Sequence, residues 1–380
     1  MNQGTNTRAE KVSILSGDEF EQAYRYPNYL IEWQDGSNIC AIYFSSSGIY
    51  FPNTLEEFHK AFFEEDRYEW YETRLACASK HIFVRDIAKQ FYITGINDQI
   101  DTLDKLIDFL RQHVKGYRVI TVGSSAGAYA ATVVGIALGA ELIFCFSGYF
   151  NLNVLDNNVW PYIQEYSGLH SYRKWYDIHD LIKNCSSEIV YFYPTNNRED
   201  ALQSSFVKSL CSDKFHIYAC ESYVHGIPFK KKNLARLFDY DIPSLKSIFR
   251  DFDKRVKANR VSELEQVLKT YNNVIIFGAG KDGVICLDML RKNRYNGNIV
   301  FWDNDSQKQG TLLCNIRVSL PAKITDISTL ILIANRKNGD EIQQQLVDNH
   351  YGEKWAFMED FFCTTCQVLS ELLDDRENTK

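Results

Sequence analysis

Tyr117-Arg-Val-Ile-Thr-Val-Gly-Ser-Ser-Ala-Gly-Ala-Tyr-Ala-Ala131 decides the fold. Its first part, Tyr117 to Val122, is a β-branched run that reads as a buried strand, and the small apolar residues from Gly127 to Leu138 read as a helix. Between them, Gly123-Ser-Ser-Ala-Gly127 leaves no room for a relaxed loop. A serine held in such a strand-to-helix elbow has cramped backbone geometry, so the positions two before and two after it must lack colliding side chains; Gly123 and Gly127 stand there around Ser125. Working outward, short apolar runs at Ile39 to Phe44, His81 to Val84, Leu142 to Phe146, Ile189 to Tyr193 and Phe215 to Ala219 alternate with helical patterns at 101–114 and 201–211. That alternation predicts an α/β domain built on a doubly wound parallel sheet. Residues 11–36 are expected to add an extra strand or two.

A serine hydroxyl is a weak nucleophile at neutral pH and requires a base. In the chain order serine, acid, histidine, that base follows the last strand, where Ser222-Tyr-Val-His-Gly-Ile-Pro offers His225. His216 alternates within the strand and reads as a packed residue. The acid belongs after the strand Ile189 to Tyr193, where Glu199 and Asp200 both qualify; Asp200 is preferred, with a helix N-cap as its structural alternative. An oxyanion calls for two preorganised N–H donors. Ala126, after the nucleophile, supplies one, and the small polar loop Ser45-Ser46-Ser47-Gly48 offers the other, assigned to Ser46.

Between Asp241 and Asn259 the strand signals give way to a charged helical stretch, which divides the chain into 1–250 and 260–380. The second part opens on Asn273-Val-Ile-Ile-Phe-Gly-Ala-Gly-Lys-Asp-Gly283, with a helix to about Lys292, a strand Ile299 to Trp302 ending at Asp303, and a further strand from Thr329 to Ala334. The pattern predicts a smaller Rossmann-like α/β domain. In such a fold Gly278 makes the turn, Gly280 admits a pyrophosphate, Gly283 lets helix meet strand, and Asp303 holds a ribose hydroxyl. The candidate ligands are a nucleotide, a nucleotide sugar or NAD. The segment is too short to contain both halves of a dehydrogenase, so a binding or docking module is expected.

The chain has 380 residues and a formal net charge of -7, without the clustered basic surface that nucleic acid demands. The run Lys230-Lys-Lys232 reads as a solvated helix start. Residues 1–10 lack a signal-peptide pattern and no apolar stretch reads as a membrane span, so a cytoplasmic protein is expected. Ten cysteines follow no disulfide framework. Cys363-Thr-Thr-Cys366 has the spacing of half a zinc site or of a redox pair, but no second pair lies near it in sequence, so no metal is assigned.

The stretches Tyr43-Phe-Ser-Ser-Ser-Gly-Ile-Tyr-Phe-Pro-Asn53, Arg85-Asp-Ile-Ala-Lys-Gln90, Gly123 to Ala131 and His225-Gly-Ile-Pro-Phe229 carry a resemblance to α/β-hydrolase-like proteins of bacterial capsule and surface-polysaccharide biosynthesis clusters. It spans about residues 30 to 240, and only the elbow is specific to hydrolases in general; Ala128 stands where a second glycine is expected. The same region is similar to the acetyltransferase-like component of accessory bacterial secretion systems. Residues Phe277 to Lys281 and Trp302 to Asp305, with Lys308-Gln-Gly310, resemble the small nucleotide-sugar-binding part of sugar-modifying acetyltransferases. These resemblances imply a Ser-His-Asp esterase or acyltransferase acting on acyl esters of carbohydrate, requiring no cofactor for acyl transfer and working beside other polysaccharide-biosynthesis enzymes. Two alternatives stand: a catalytically degenerate scaffold for glycan synthesis, and an NAD- or nucleotide-sugar-linked enzyme acting through the C-terminal part.

Overall fold

The computed structural model describes residues 17–156, 160, 163–222, 224–258, 268–352 and 354–377. Residues 1–16, which include the start of the expected N-terminal strand region, and residues 260–267 at the start of the expected second domain lie outside the described residues. The chain divides into two compact α/β units, one comprising Met1–Ala219 and Val224–Arg250, the other Cys220–Tyr223 and Asp251–Lys380. The passage from one to the other falls inside the helix Ile242–Ala258, within the charged stretch seen in the sequence.

The first unit is built on seven strands: β1 (Tyr29–Trp33), β2 (Ile39–Phe44), β3 (Lys80–Val84), β4 (Arg118–Ser124), β5 (Leu142–Phe146), β6 (Glu188–Pro194) and β7 (Phe215–Cys220). They lie in the order β1-β3-β2-β4-β5-β6-β7. Strands β3, β2, β4, β5 and β6 pair in parallel, and β1 pairs antiparallel with β3. Every residue of β2 and β5 is buried, as expected of parallel strands covered on both faces.

Two helices show how the covering layers form. Thr102 caps the helix Leu103–His113 by accepting the Lys105 N–H, and Leu103, Leu106, Ile107 and Leu110 make one apolar stripe against the core. The helix Ala126–Leu138 is buried almost all round, so it uses small residues rather than a stripe. A Cβ at its Gly135 would press into the side chains of Thr121 and Ile143 on the strands beneath.

The second unit has six strands: β8 (Asn273–Phe277), β9 (Asn298–Trp302), β10 (Leu312–Leu313), β11 (Ile316–Ser319), β12 (Thr329–Ile333) and β13 (Trp355–Phe357). Their order is β10-β11-β9-β8-β12-β13. From β8 the chain runs outward through β9 to β11, then crosses back to β12 and β13, so the winding reverses between β8 and β12. In open α/β sheets a crevice opens at such a reversal, beyond the carboxyl ends of the strands. Separate apolar clusters fill the two faces, one around Val274, Ile276 and Leu332, the other around Ile275, Phe277 and Ile333. No helix among the described residues is long and apolar enough to cross a membrane.

Candidate active site

β4 ends directly in the elbow. Ser125 has φ 58° and ψ -126°, a conformation that side chains rarely adopt and that costs about 1–3 kcal/mol. The flanking glycines make it sterically achievable. A Cβ on Gly123 would collide with the Gly127 carbonyl, and a Cβ on Gly127 with the Phe44 carbonyl at the end of β2. The Ser125 N–H donates to the Phe146 carbonyl at 2.9 Å, which ties the elbow to the neighbouring strand.

The structure brings three of the sequence-assigned residues into one hydrogen-bonded chain. His225 Nε2 lies 2.8 Å from Ser125 Oγ, and His225 Nδ1 lies 2.8 Å from Asp200 Oδ2. Asp200 is 2% exposed and Ser125 7%, so the acid is buried while the hydroxyl sits at the edge of solvent. The choice between the two acids follows from their contacts. Glu199 accepts from Tyr149 Oη at 3.1 Å and from Trp160 Nε1 at 3.2 Å, away from the histidine. The N-cap role belongs to Asn197, whose side chain accepts from the N–H groups of Glu199 and Asp200 and leaves the Asp200 carboxylate for His225. His216 is buried against Glu188 at 3.3 Å, the packed role its alternation suggests.

The oxyanion assignment is corrected in part. Ala126 is the first residue of the elbow helix, where amide N–H groups have no carbonyl of the preceding turn to bond. The Ser46 N–H, however, donates to Glu69 Oε2 at 2.6 Å, and the Ser46 hydroxyl donates to Glu69 Oε1 at 2.9 Å. The Ser45 N–H is likewise taken, by the Val84 carbonyl. Ser46 is therefore a structural anchor of the loop rather than the second donor, and Ser47 is the serine of the 45–47 run whose amide remains for that place.

Four residues that sequence reading missed frame this loop and the histidine. Glu69 clamps Ser46; its burial pushes the carboxyl above the usual range against the pull of the Ser46 bonds. Trp70 Nε1 donates to the Phe44 carbonyl, and its ring stacks on Phe146. Ser147 Oγ lies 2.9 Å from both the N–H and the carbonyl of Gly226, fixing the residue after the base. The Tyr149 ring packs 5.7 Å from that of His225. These side chains sit in loops without periodic pattern, and Trp70 and Tyr149 stand among other aromatics (Tyr68 and Tyr71, Phe146 and Phe150), so nothing in the local sequence singles them out.

The stretch Arg85 to Gln90 supports the site from behind. Asp86 Oδ2 accepts from the N–H groups of Gln90 and Tyr92, folding the loop so that the Tyr92 hydroxyl donates to the Ser45 carbonyl at 2.8 Å. Burial pushes the Asp86 carboxyl up to about 6, and pulls the Lys89 ammonium down to about 7.

A cavity of about 910 Å³ opens beside the elbow, touching Ser46, Ser124 and Ile227, with a wall formed by residues 65–73.

In the second unit, Gly278, Gly280, Gly283 and Asp303 gather where the winding reverses. A Cβ on Gly278, at φ 125°, would strike the Ala334 carbonyl, and one on Gly283 would strike the Gly278 carbonyl; at Gly280 it would meet nothing within 4 Å. Asp303 Oδ2 accepts from the Ala279 N–H at 2.8 Å and from Lys308 Nζ at 2.9 Å, while Oδ1 accepts from the Asp305 N–H at 2.9 Å. Partial burial opposes its charge, but the Asp305 N–H, the Lys308 ammonium and the Ala279 N–H together hold the carboxyl below its usual value. A cavity of about 450 Å³ is lined here by Gly278, Asp303, Lys308, Asn335 and Gln345, among others.

No family model matches the chain, and no curated protein matches it. Among solved structures it is similar to the capsule O-acetyltransferase of Neisseria meningitidis serogroup A, with 13% identity and a TM-score of 0.38 over 62% of this chain and 93% of that one. It is similar to a lipase-esterase related protein from Clostridium acetobutylicum ATCC 824, with 13% identity and a TM-score of 0.33 over 60% of this chain and 98% of that one. It is also similar to the Wnt deacylase Notum from Drosophila, with 12% identity and a TM-score of 0.35 over 62% of this chain and 89% of that one.

Proposed function

We propose that the first unit is a serine-dependent esterase or acyltransferase. The observation that carries this reading is the His225 ring, held at 2.8 Å from Ser125 on one side and from Asp200 on the other, beside a serine kept at positive φ. The backbone conformation at Ser125 is costly and is hard to account for unless the hydroxyl is used. His225 Nε2 takes the proton as Ser125 Oγ bonds to the acyl carbon. Asp200 accepts the Nδ1–H, which fixes the tautomer and stabilises the imidazolium that forms. The Ala126 N–H, with that of Ser47, receives the charge on the acyl oxygen. His225 then returns the proton to the departing oxygen, and water or an incoming hydroxyl takes the acyl group from Ser125 by the same steps in reverse.

Carbohydrate is the proposed carrier of the acyl ester, within bacterial surface-polysaccharide synthesis in the cytoplasm. The large cavity supports it: its wall includes the aromatic residues Tyr68, Trp70 and Tyr71 and the acidic residues Glu65, Asp66 and Glu72, the side-chain types suited to the C–H side and to the hydroxyls of a sugar. The sequence resemblance of residues 30–240 to hydrolase-like proteins of capsule and surface-polysaccharide clusters points the same way. Wild-type protein should be labelled by a fluorophosphonate probe and should release acetate from an O-acetylated polysaccharide or from a small acetyl ester. The Ser125→Ala variant should show neither; full labelling of that variant would remove the nucleophile, and an inert wild type would favour a scaffold role.

For the second unit we propose binding of a nucleotide or nucleotide sugar, carried by the open space at Gly280 beside a cavity at the reversal of the sheet. A phosphate placed there meets the N-terminus of the helix Lys281–Lys292, with Lys308 nearby. Calorimetric titration with UDP-glucose and with NAD+ distinguishes the ligands, and heat from neither would refute the assignment.

A further inference from the structure

The two cysteines of Cys363-Thr-Thr-Cys366 have a third partner that the local sequence does not show. Cys220, at the end of β7 and grouped with the second unit, brings its sulfur to the same point. The three Sγ atoms lie within 4.8 Å of one another, and all three residues are buried. Cys363 immediately precedes the helix Thr364–Glu377, and the Cys366 N–H donates to its sulfur at 3.4 Å. An amide at a helix start favours negative charge on that sulfur, which is the form a metal ligand takes. None of the ten cysteines is disulfide-bonded.

We propose that Cys220, Cys363 and Cys366 form a thiolate site for a single thiophilic divalent cation, zinc by preference. Zinc–sulfur bonds of about 2.3 Å place the corners of a tetrahedral site about 3.8 Å apart, so the three sulfurs have to close by no more than about 1 Å. Three thiolates fill three corners, and water or a small solute takes the fourth. Binding releases the thiol protons to solvent and leaves every oxidation state unchanged. The alternative use of a C-x-x-C pair, thiol–disulfide exchange, requires a sulfur that a partner disulfide can reach. Cys363 is 1% exposed and Cys366 0%, which bars that encounter. Simple packing also accounts poorly for the cluster. Buried Cys40, Cys145 and Cys286 fill core positions one at a time, and the trio is the one group of three or more potential ligands of this kind among the described residues.

The site joins the 220–223 segment to the final helix of the second unit, so its expected role is structural and independent of acyl transfer. The test uses the full chain, reduced and stripped of metal with a chelator, then titrated with Co2+. One equivalent should bind and produce a thiolate-to-cobalt charge-transfer band, which Zn2+ then abolishes. Cys366→Ser should weaken Co2+ binding by at least about 100-fold, a scale that outer-shell changes alone already reach; Cys211→Ser, at an exposed cysteine, should leave it unchanged. Absence of the band in wild type, or its persistence at full strength in Cys366→Ser, overturns the proposal. Should that variant fail to fold, alkylation mapping of the wild type with and without Zn2+ decides: selective protection of Cys220, Cys363 and Cys366 supports the site, and any other pattern overturns it.

Discussion

The molecule contains two glycine-rich turns from strand to helix, and they are tight for different reasons. In the elbow at 123–127, both glycines lie against backbone, and the residue at positive φ is Ser125, whose hydroxyl is thrust outward by a peptide that cannot relax. In the turn at 278–283, Gly278 itself takes the positive φ, and the middle glycine faces open space. The first turn presents a side chain; the second presents backbone N–H groups. Each turn has its own aspartate. Asp200 holds the His225 ring beside Ser125, whereas Asp303 binds its own turn through the Ala279 N–H. One local pattern is thus suited to presenting a hydroxyl in one unit and to anion binding in the other.

The largest expected effect separates the acids beside the first turn. Asp200→Asn preserves shape but offers the wrong hydrogen-bonding partner to His225 Nδ1, and should lower kcat on the order of 10⁴-fold. Glu199→Gln keeps one oxygen to accept from Trp160 Nε1 and turns an amide N–H toward the Tyr149 hydroxyl, which can accept it, and should change kcat by less than about tenfold, because the Glu199 carboxylate does not touch the histidine. Steady-state rates on one acetyl ester measure both, and equal losses would break the assignment of the acid.

Glycine replacements sharpen the contrast between the turns. Gly127→Ala drives a methyl into the Phe44 carbonyl and should lower unfolding stability by about 1–3 kcal/mol, with a rate loss of about 100-fold or more as Ser125 shifts. Gly280→Ala meets no neighbour at an extended backbone position, so its stability should stay within about 0.5 kcal/mol of wild type. If phosphate does approach there, the same methyl should weaken UDP-glucose or NAD+ binding at least about tenfold. Denaturant titration and calorimetry on the two variants suffice. Stability losses of equal size would mean that both glycines serve packing alone.

Both turns were legible in the sequence because strand, glycine pattern and helix coincide in single short stretches. The central strands were equally plain: parallel strands buried on both faces are continuous apolar runs, and β2 and β5 match their expected bounds. Short edge elements were not. β10, β11 and β13 have two to four residues each, too few for any periodicity to show. In the site, Ser125 and His225 could be placed by chain order, and Asp200 by the strand before it. Ser46 could not be judged, because its amide is taken by Glu69, which returns from a loop that carries no strand or helix signal. Cys220 escaped for the same reason: its proximity to Cys363 and Cys366 is a fact of tertiary structure with no trace in local spacing.

The smallest effect tests whether the second turn depends on its aspartate. The folded state holds the Asp303 carboxyl below its usual value, so the charge contributes stability at all pH values above the unfolded-chain value near 3.9. That contribution is lost as the pH falls through the lower, folded value, when the carboxylate takes up its proton. The Asp303 side chain is only 14% exposed, but its partner Lys308 is 40% exposed, so solvent screening at the ammonium limits the effect to about 1 kcal/mol or less. Hydrogen exchange at the Ala279 amide, corrected for its intrinsic pH dependence, reads it locally. Protection should decline on acidification below about pH 4 in wild type, and in Asp303→Asn it should start lower and change little over that range. The aspartate would then be part of the turn's own construction, shared between Ala279 and Lys308, and a ribose hydroxyl would have to compete for its remaining lone pair. Unchanged protection in the variant would instead leave Asp303 uncommitted and place it wholly at the disposal of a ligand.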